Sequence, residues 1–387
     1  MKRIGLYLGG QPYGGGIFQY NQTLLEVFKF LFKNGFDVIV VYSDLAWKKY
    51  LRNDLPVLYI ERNFFDKALF KFWIVLRLPV GLWRQVAIYI HSFVRKVMKL
   101  KCDLWVFPSQ DMWSCMVPVP AVVAIHDLMH RYEKHFSEVS ARGEYEAREW
   151  EYRNMCLWAK AILVDSEMGR VHVHESYGLD LNRINVLPYT LPAYIYSKHV
   201  PVDFDQKYPL PKKFIFYPAQ FWEHKNHKGL IRAVERLKGT ISDLKLVFAG
   251  GKKNAYTSVN SLVKELGLEE KVFFLGYVPD EYLPEFYRRA RALVMPTFFG
   301  PTNIPPLEAM ALGCPVAVSR IYAMPDQLGD AAVWFDPNSD QQIAQAIKQL
   351  WNDDDLCQHL SQRGLEQIKL WDQTCFNQRF QEILKRI

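Results

Sequence analysis

Short apolar runs alternate with helix-patterned stretches along this chain, and the alternation happens twice. The first series has strand-like runs at Arg3–Leu8, Asp37–Tyr42, Leu104–Pro108, Ala121–Ile125, Ala161–Asp165 and Ile184–Leu187, with a helical stripe through Ile17, Leu24, Leu25, Phe28 and Leu31. A passage without periodicity follows, Pro188 to Pro211, which includes Pro192, Pro201 and Pro209 and reads as a linker. The second series then begins, with strands expected at Phe214–Tyr217, Leu244–Ala249, Val272–Leu275, Ala292–Met295, Pro315–Ser319 and Val333–Phe335. Helices are expected between them at His227–Leu237, Thr257–Leu266, around Tyr282–Arg291, at Pro306–Leu312 and from Asp340 onward. Strands and helices that alternate in this way build parallel α/β sheets with helices on both faces. A chain of 387 residues has room for two such domains.

Composition narrows the class. Half of the residues are hydrophobic and 23% are charged, enough for a core in each domain. No apolar run reaches the ~18 residues of a spanning helix. The start, Met1-Lys2-Arg3 followed by Ile4–Leu8, is too short for a secretory signal, so a cytoplasmic location is expected. Six cysteines with no C-x-x-C pair argue for reduced thiols and against a zinc site. The net charge of +7 is concentrated: Arg62 to Lys101 holds nine basic residues against Asp66 alone, so the remainder of the chain is close to neutral. Large apolar residues, among them Phe64, Phe65, Phe72, Trp73, Leu82 and Trp83, interleave with those charges. That pattern suits a helix lying on an anionic membrane surface, and it also suits ordinary amphipathic helices with a solvated basic face. No motif for nucleic acid accompanies it.

Four segments carry polar groups where a strand hands over to a helix, the position at which open α/β sheets bind ligands. Gly9 to Gly16 is glycine-rich, either a bare tight turn or a loop letting a ligand reach the backbone. At Ala124-Ile125-His126-Asp127, His126 can bond a substrate hydroxyl, and Asp127 can orient a ring nitrogen or cap the next helix. In Pro218 to Lys228, Lys225 stands at a strand end and a helix start together, suited to a phosphate. The segment Thr297 to Met310 places Pro305-Pro306 at a helix start with Glu308 expected in the first turn, able to accept from backbone N–H groups or ribose hydroxyls. The N–H groups of Thr302, Asn303 and Ile304 are expected to be available to a sugar or a diphosphate.

Together these segments resemble glycosyltransferase family 4, strongest from Phe214 to Phe335 but extending over nearly the whole chain. The resemblance implies the GT-B fold: two Rossmann-like parallel-sheet domains facing across a cleft, with a last helix returning to the first. In this chain that means an acceptor-binding domain at 1–195, a hinge at 196–212, a nucleotide-sugar domain at 213–372 and the returning helix within 373–387. It further implies that Lys225 neutralises the donor diphosphate, Glu308 holds the ribose and His126, with Asp127, serves the transferred sugar. Gly15 and Gly16 would approach phosphates or acceptor, while Gln220, Asn226, Gly250, Thr302, Asn303 and Ile304 would line the donor site. Two positions depart from the family: Gly300 stands where a Glu is common, and Gln220 where an Arg is common. The Asn303-Ile304-Pro305-Pro306-Leu307-Glu308 and His224-Lys225-Asn226 variants look like those of bacterial polysaccharide-assembly mannosyl- or rhamnosyltransferases.

The resulting expectation is retaining hexosyl transfer from a nucleotide-diphosphate sugar to a glycan or lipid-linked glycan, without metal or other cofactor, in cell-surface polysaccharide or lipopolysaccharide synthesis. Fixed donors would stabilise the leaving diphosphate, and the bound pair would be held for reaction by closure. Asp203-Phe204-Asp205 matches a metal-binding D-x-D but falls in the linker, and His172-Val173-His174 lacks a third ligand. A catalytically silent subunit that binds a glycan or a partner glycosyltransferase is the alternative of a different class. A nucleotide-sugar epimerase is the alternative within enzymes.

Overall fold

The computed structural model describes residues 2–10, 15–51, 54–197 and 199–387. Gln11 to Gly14, the middle of the glycine-rich segment, lie outside the described residues.

The chain divides into two units. The first comprises residues 1–132, 142–189 and 373–387, and the second comprises 133–141 and 190–372. In the first unit the strands are β1 (Arg3–Leu8), β2 (Asp37–Tyr42), β3 (Val57–Tyr59), β4 (Leu104–Phe107), β5 (Ala121–Ala124), β6 (Ala161–Val164) and β7 (Ile184–Val186). They form one parallel sheet in the order β3-β2-β1-β4-β5-β6-β7. Side chains alternate between two buried faces, as strands covered on both sides require. Tyr7, Val41, Trp105, Phe107 and Val123 face one core, while Leu6, Leu8, Val40, Val106 and Val122 face the other. The second of these cores is closed by helix Gly16–Lys33 and by the terminal helix Gln373–Arg386, which contributes Phe376, Phe380, Ile383 and Leu384. The returning helix expected from sequence is therefore present.

The second unit has β8 (Ile215–Pro218), β9 (Leu246–Ala249), β10 (Val272–Phe274), β11 (Ala292–Met295), β12 (Val316–Ser319) and β13 (Val333–Phe335). All are parallel, in the order β10-β9-β8-β11-β12-β13. Both sheets thus carry the 3-2-1-4-5-6 order, with a switch point between the first and fourth strands. In the second unit the switch falls between β8 and β11, so the loops after these strands lie side by side.

Three helices fill the basic window: Phe64–Val75, Val80–Ile90 and Ser92–Lys99. The buried Asp66 carboxylate accepts the N–H groups of Ser92 at 2.9 Å and Phe93 at 3.3 Å, which ties the first of them to the third. Trp73 and Trp83 point into the core, whereas Phe64, Phe65, Phe72, Val75, Leu82 and Tyr89 are exposed. The expected linker is not wholly irregular, since it contains a short helix, Phe204–Lys207. Asp203 accepts from the Tyr282 hydroxyl and Asp205 pairs with Arg289, so both D-x-D carboxylates have protein partners. Among the described residues no helix is long and apolar enough to cross a membrane.

Candidate donor site in the second unit

The loop after β8 ends in a tight turn, Glu223–Lys225, followed by Asn226 in a left-handed conformation. The turn is fixed at each of its residues. The His224 carbonyl accepts from the N–H of Phe298 at 2.8 Å and the hydroxyl of Thr297 at 3.1 Å. The Lys225 carbonyl accepts from the Tyr217 hydroxyl at 2.8 Å. The Asn226 side chain accepts the Gly229 N–H at 3.1 Å, capping helix His227–Leu237, and donates to the Pro337 carbonyl at 2.8 Å. The Lys225 side chain is left to reach across the switch point, where Nζ donates to Asn303 Oδ1 at 3.4 Å.

Asn303 precedes helix Ile304–Ala311 at the cap position but makes no side-chain cap bond. Its carboxamide oxygen meets Lys225 instead, and its backbone is gripped by Gln327, which accepts the Asn303 N–H at 3.0 Å and donates to the Asn303 carbonyl at 2.9 Å. The expectation that the Asn303 N–H stands ready for a ligand is thereby corrected. Pro305 and Pro306 have no N–H to satisfy, so the first turn of this helix needs few capping partners. The result is one ammonium group and two helix N-termini gathered at the switch point, an arrangement that attracts an anion.

Gly250, after β9, closes the neighbouring side. A Cβ there would lie 2.1 Å from the Ala219 carbonyl oxygen, so only glycine lets the two loops touch. Gln220 accepts the Trp222 indole N–H at 3.0 Å. Gly300 has φ 138°, and a side chain there would meet the Asn303 amide nitrogen at 2.5 Å. The space a side chain at 300 would enter is taken by Asn303. Thr302 is buried, and Ile304 is the first residue of the helix.

Glu308 corrects a second expectation. The helix starts at Ile304 rather than Pro306, so Glu308 lies beyond the first turn and does not cap it. Its two carboxylate oxygens accept from the hydroxyls of Tyr194 and Tyr287. Burial drives the Glu308 carboxyl up to about 7, against the two tyrosine hydrogen bonds that pull it down. Burial also raises both tyrosines well above their ordinary value, so they stay protonated donors. Tyr194, Tyr287 and Gln327 have no motif that announces them in sequence.

The remaining candidates belong to the first unit. Gly15 and Gly16 are exposed at the start of helix Gly16–Lys33. After β5, His126 Nε2 lies 2.8 Å from the Pro108 carbonyl and must donate to it, leaving Nδ1, 3.0 Å from Tyr189, to accept that hydroxyl. Burial lowers the His126 pKa, so the ring is neutral. Asp127 accepts the Met129 N–H at 2.9 Å, at the start of the short helix Met129–Tyr132. The His172 ring stacks on Tyr132 with centroids 3.7 Å apart, and His174 Nδ1 is 2.7 Å from the Leu179 carbonyl.

Two parallel sheets of this order, with a terminal helix crossing back to the first, define the GT-B fold. Residues 202–367 match the model for glycosyl transferases group 1. The chain is similar to O-antigen chain mannosyltransferase B of Escherichia coli, with 32% identity over 219 residues, 54% of this chain and 56% of the relative. It is also similar to O-antigen chain mannosyltransferase RfbU of Salmonella typhimurium, with 30% identity over 191 residues, 49% of this chain and 51% of the relative. The matches span about half the length of these curated relatives. In solved structures, Anabaena Alr3699/HepE in complex with UDP and glucose superposes with a TM-score of 0.74 over all of both chains at 17% identity, a likeness of fold.

Proposed function

We propose that this protein is a retaining, metal-independent glycosyltransferase that moves a hexose, mannose in preference to rhamnose, from a nucleotide-diphosphate sugar to a glycan acceptor in cell-surface polysaccharide synthesis. The observation that carries the reading is Lys225 on Asn303 at the switch point between β8 and β11, where two helix N-termini converge. As the donor bond breaks, charge accumulates on the diphosphate, and an ammonium held in place beforehand stabilises it without reorganising. Glu308, anchored by two tyrosines, retains lone pairs to accept from ribose hydroxyls. The departing phosphate oxygen takes the acceptor proton on the same face, so no dedicated carboxylate base is required. In this reading His126, a neutral ring fixed by its bonds to Pro108 and Tyr189, and Asp127 serve the transferred sugar, and Gly15 and Gly16 the phosphates or acceptor. The names of the two O-antigen relatives support mannose and surface polysaccharide.

A thermal-shift panel of GDP-mannose, dTDP-rhamnose, UDP-glucose, UDP-GlcNAc and the free nucleotides, each with and without EDTA, tests this. A bound donor at 100 times its Kd adds about 2.7 kcal/mol. Stabilisation by GDP-mannose, unchanged by EDTA, is the expected result. A response confined to a UDP series moves the sugar away from mannose, loss of the response in EDTA defeats metal independence, and silence throughout favours the non-catalytic reading.

The exposed Phe64, Phe65, Phe72, Val75 and Leu82, together with exposed Lys67, Lys71, Lys96, Lys99 and Lys101, support attachment to the anionic cytoplasmic face of a membrane. Each basic residue near such a surface contributes about 1 kcal/mol. Reversing Lys96, Lys99 and Lys101 to Glu is therefore expected to release the protein from phosphatidylglycerol-containing vesicles in a flotation assay. Equal flotation of both proteins, or none by the starting protein, removes the membrane claim.

A further inference from the structure

The segment Glu133–Ala141 lies in sequence between β5 and β6 of the first sheet, yet it belongs to the second unit. It also lies outside residues 202–367, the part matched to the glycosyl transferases group 1 family. Its contacts concentrate on the turn that presents Lys225. Glu138 Oε1 accepts from the His224 backbone N–H at 3.1 Å and from ring Nδ1 at 2.7 Å. Oε2 accepts from the Asn254 amide at 2.9 Å, while Asn254 Oδ1 takes the Glu223 N–H at 3.2 Å. Ser137 donates to Glu223 at 3.2 Å, and the Phe136 ring lies 5.8 Å from Phe298, whose N–H is bonded to the His224 carbonyl. One short segment thus reaches the Glu223–Lys225 turn and, through Phe298, the loop leading to Asn303. The Glu138 side chain is only 6% exposed. Burial pushes its carboxyl up, but the hydrogen bonds from His224 and Asn254 and from the backbone outweigh this and take it to about 2. It is an anion throughout the working range, and it can only accept.

We infer that Glu138 is a positioning residue for donor binding: by holding the backbone and ring of His224 it fixes the turn that aims Lys225 at Asn303. This rests on the reading of Lys225 as the group that meets the donor diphosphate. Glu138 touches no substrate. Its effect passes through the turn, so its removal must weaken diphosphate binding only when Lys225 is there to be aimed. A carboxylate that merely stabilised the unit would weaken binding, if at all, regardless of Lys225.

GDP, UDP and dTDP are titrated calorimetrically into the full chain, its Glu138→Ala, Glu138→Gln, Asn254→Ala and Lys225→Ala variants and the Glu138→Ala/Lys225→Ala double variant, with melting temperatures recorded for each. Glu138→Ala is expected to weaken the nucleotide that binds the starting protein by about tenfold, the size of a lost bond to a charged group. Glu138→Gln keeps an acceptor for the His224 N–H and is expected to recover most of that loss, whereas in the Lys225→Ala background Glu138→Ala adds nothing. Should Glu138→Ala fail to fold, Glu138→Gln and Asn254→Ala carry the comparison: Gln, which keeps the His224 acceptor and gives up only the bond from Asn254, binds within about threefold of the starting protein, and Asn254→Ala, which also frees the Glu223 N–H, binds several-fold more weakly. Unchanged affinity in Glu138→Ala while Lys225→Ala binds weakly overturns the inference and leaves the donor site standing. The same holds if Glu138→Ala weakens binding equally in both backgrounds. No binding by the starting protein, or full binding by Lys225→Ala, overturns the donor site and the inference together.

Discussion

Replacing Lys225 by alanine is expected to lower kcat/KM for sugar transfer by about 10²–10³, the size seen when one preorganised donor to a developing negative charge is removed. The fold should survive, because the turn does not depend on the side chain. The Lys225 N–H donates to the Trp222 carbonyl at 3.1 Å, and its carbonyl accepts from Tyr217. A melting temperature within a degree or two of the starting protein, with transfer nearly abolished, is the combination that identifies the group as chemical rather than architectural. Transfer at the original rate in Lys225→Ala would end the assignment. So would a loss of transfer accompanied by a large loss of stability.

The second large effect concerns Glu308 and is visible without any substrate. Its carboxyl is raised from an ordinary 4.5 to about 7, chiefly by burial. A carboxyl raised on folding holds its proton more tightly in the folded chain. The stability it contributes is therefore complete below pH 4.5 and is lost as the pH rises through about 7. At 1.36 kcal/mol per unit, the loss across that window is on the order of 3 kcal/mol. Melting temperature measured from pH 5 to pH 8 should fall more steeply for the starting protein than for Glu308→Gln, which has no proton to lose. Parallel curves would mean that the carboxyl titrates normally. At pH 8, where the Glu308 carboxyl is ionised, the same variant should bind nucleotide about tenfold more weakly, because a neutral amide replaces a charged acceptor.

Both predictions concern residues that stand out in the sequence, but their surroundings do not. Most strands could be read from apolar runs bounded by turns, and helix His227–Leu237 has the limits its periodicity suggests. Strand β3 could not be read, because its three residues are all exposed at a sheet edge and carry no burial pattern. The helix before Glu308 begins two residues early because proline is at ease in a first turn and does not mark where the helix starts. Tyr194 sits in a passage without periodicity, and Gln327 is a polar residue whose burial only the tertiary structure reveals. Gly300 looks in sequence like a missing acid. In the structure the Asn303 amide occupies that space, so a glutamate at 300 would have to displace the side chain that meets Lys225. Glu138 was beyond sequence reasoning altogether, since its partners lie 86 and 116 residues away.

The terminal helix has a consequence for how the chain is made. One face of the first sheet is completed by Phe376, Phe380, Ile383 and Leu384, which leave the ribosome only after residues 190–372 have been synthesised. At about 5–20 residues per second that delay is roughly 10–40 s. Throughout it, the nascent chain presents unfinished apolar surface on helix Gly16–Lys33 and its neighbours. A frameshift or nonsense codon ahead of Phe376 would leave that surface permanently uncovered, so lesions there should produce insoluble protein even though they lie far from Lys225 in sequence.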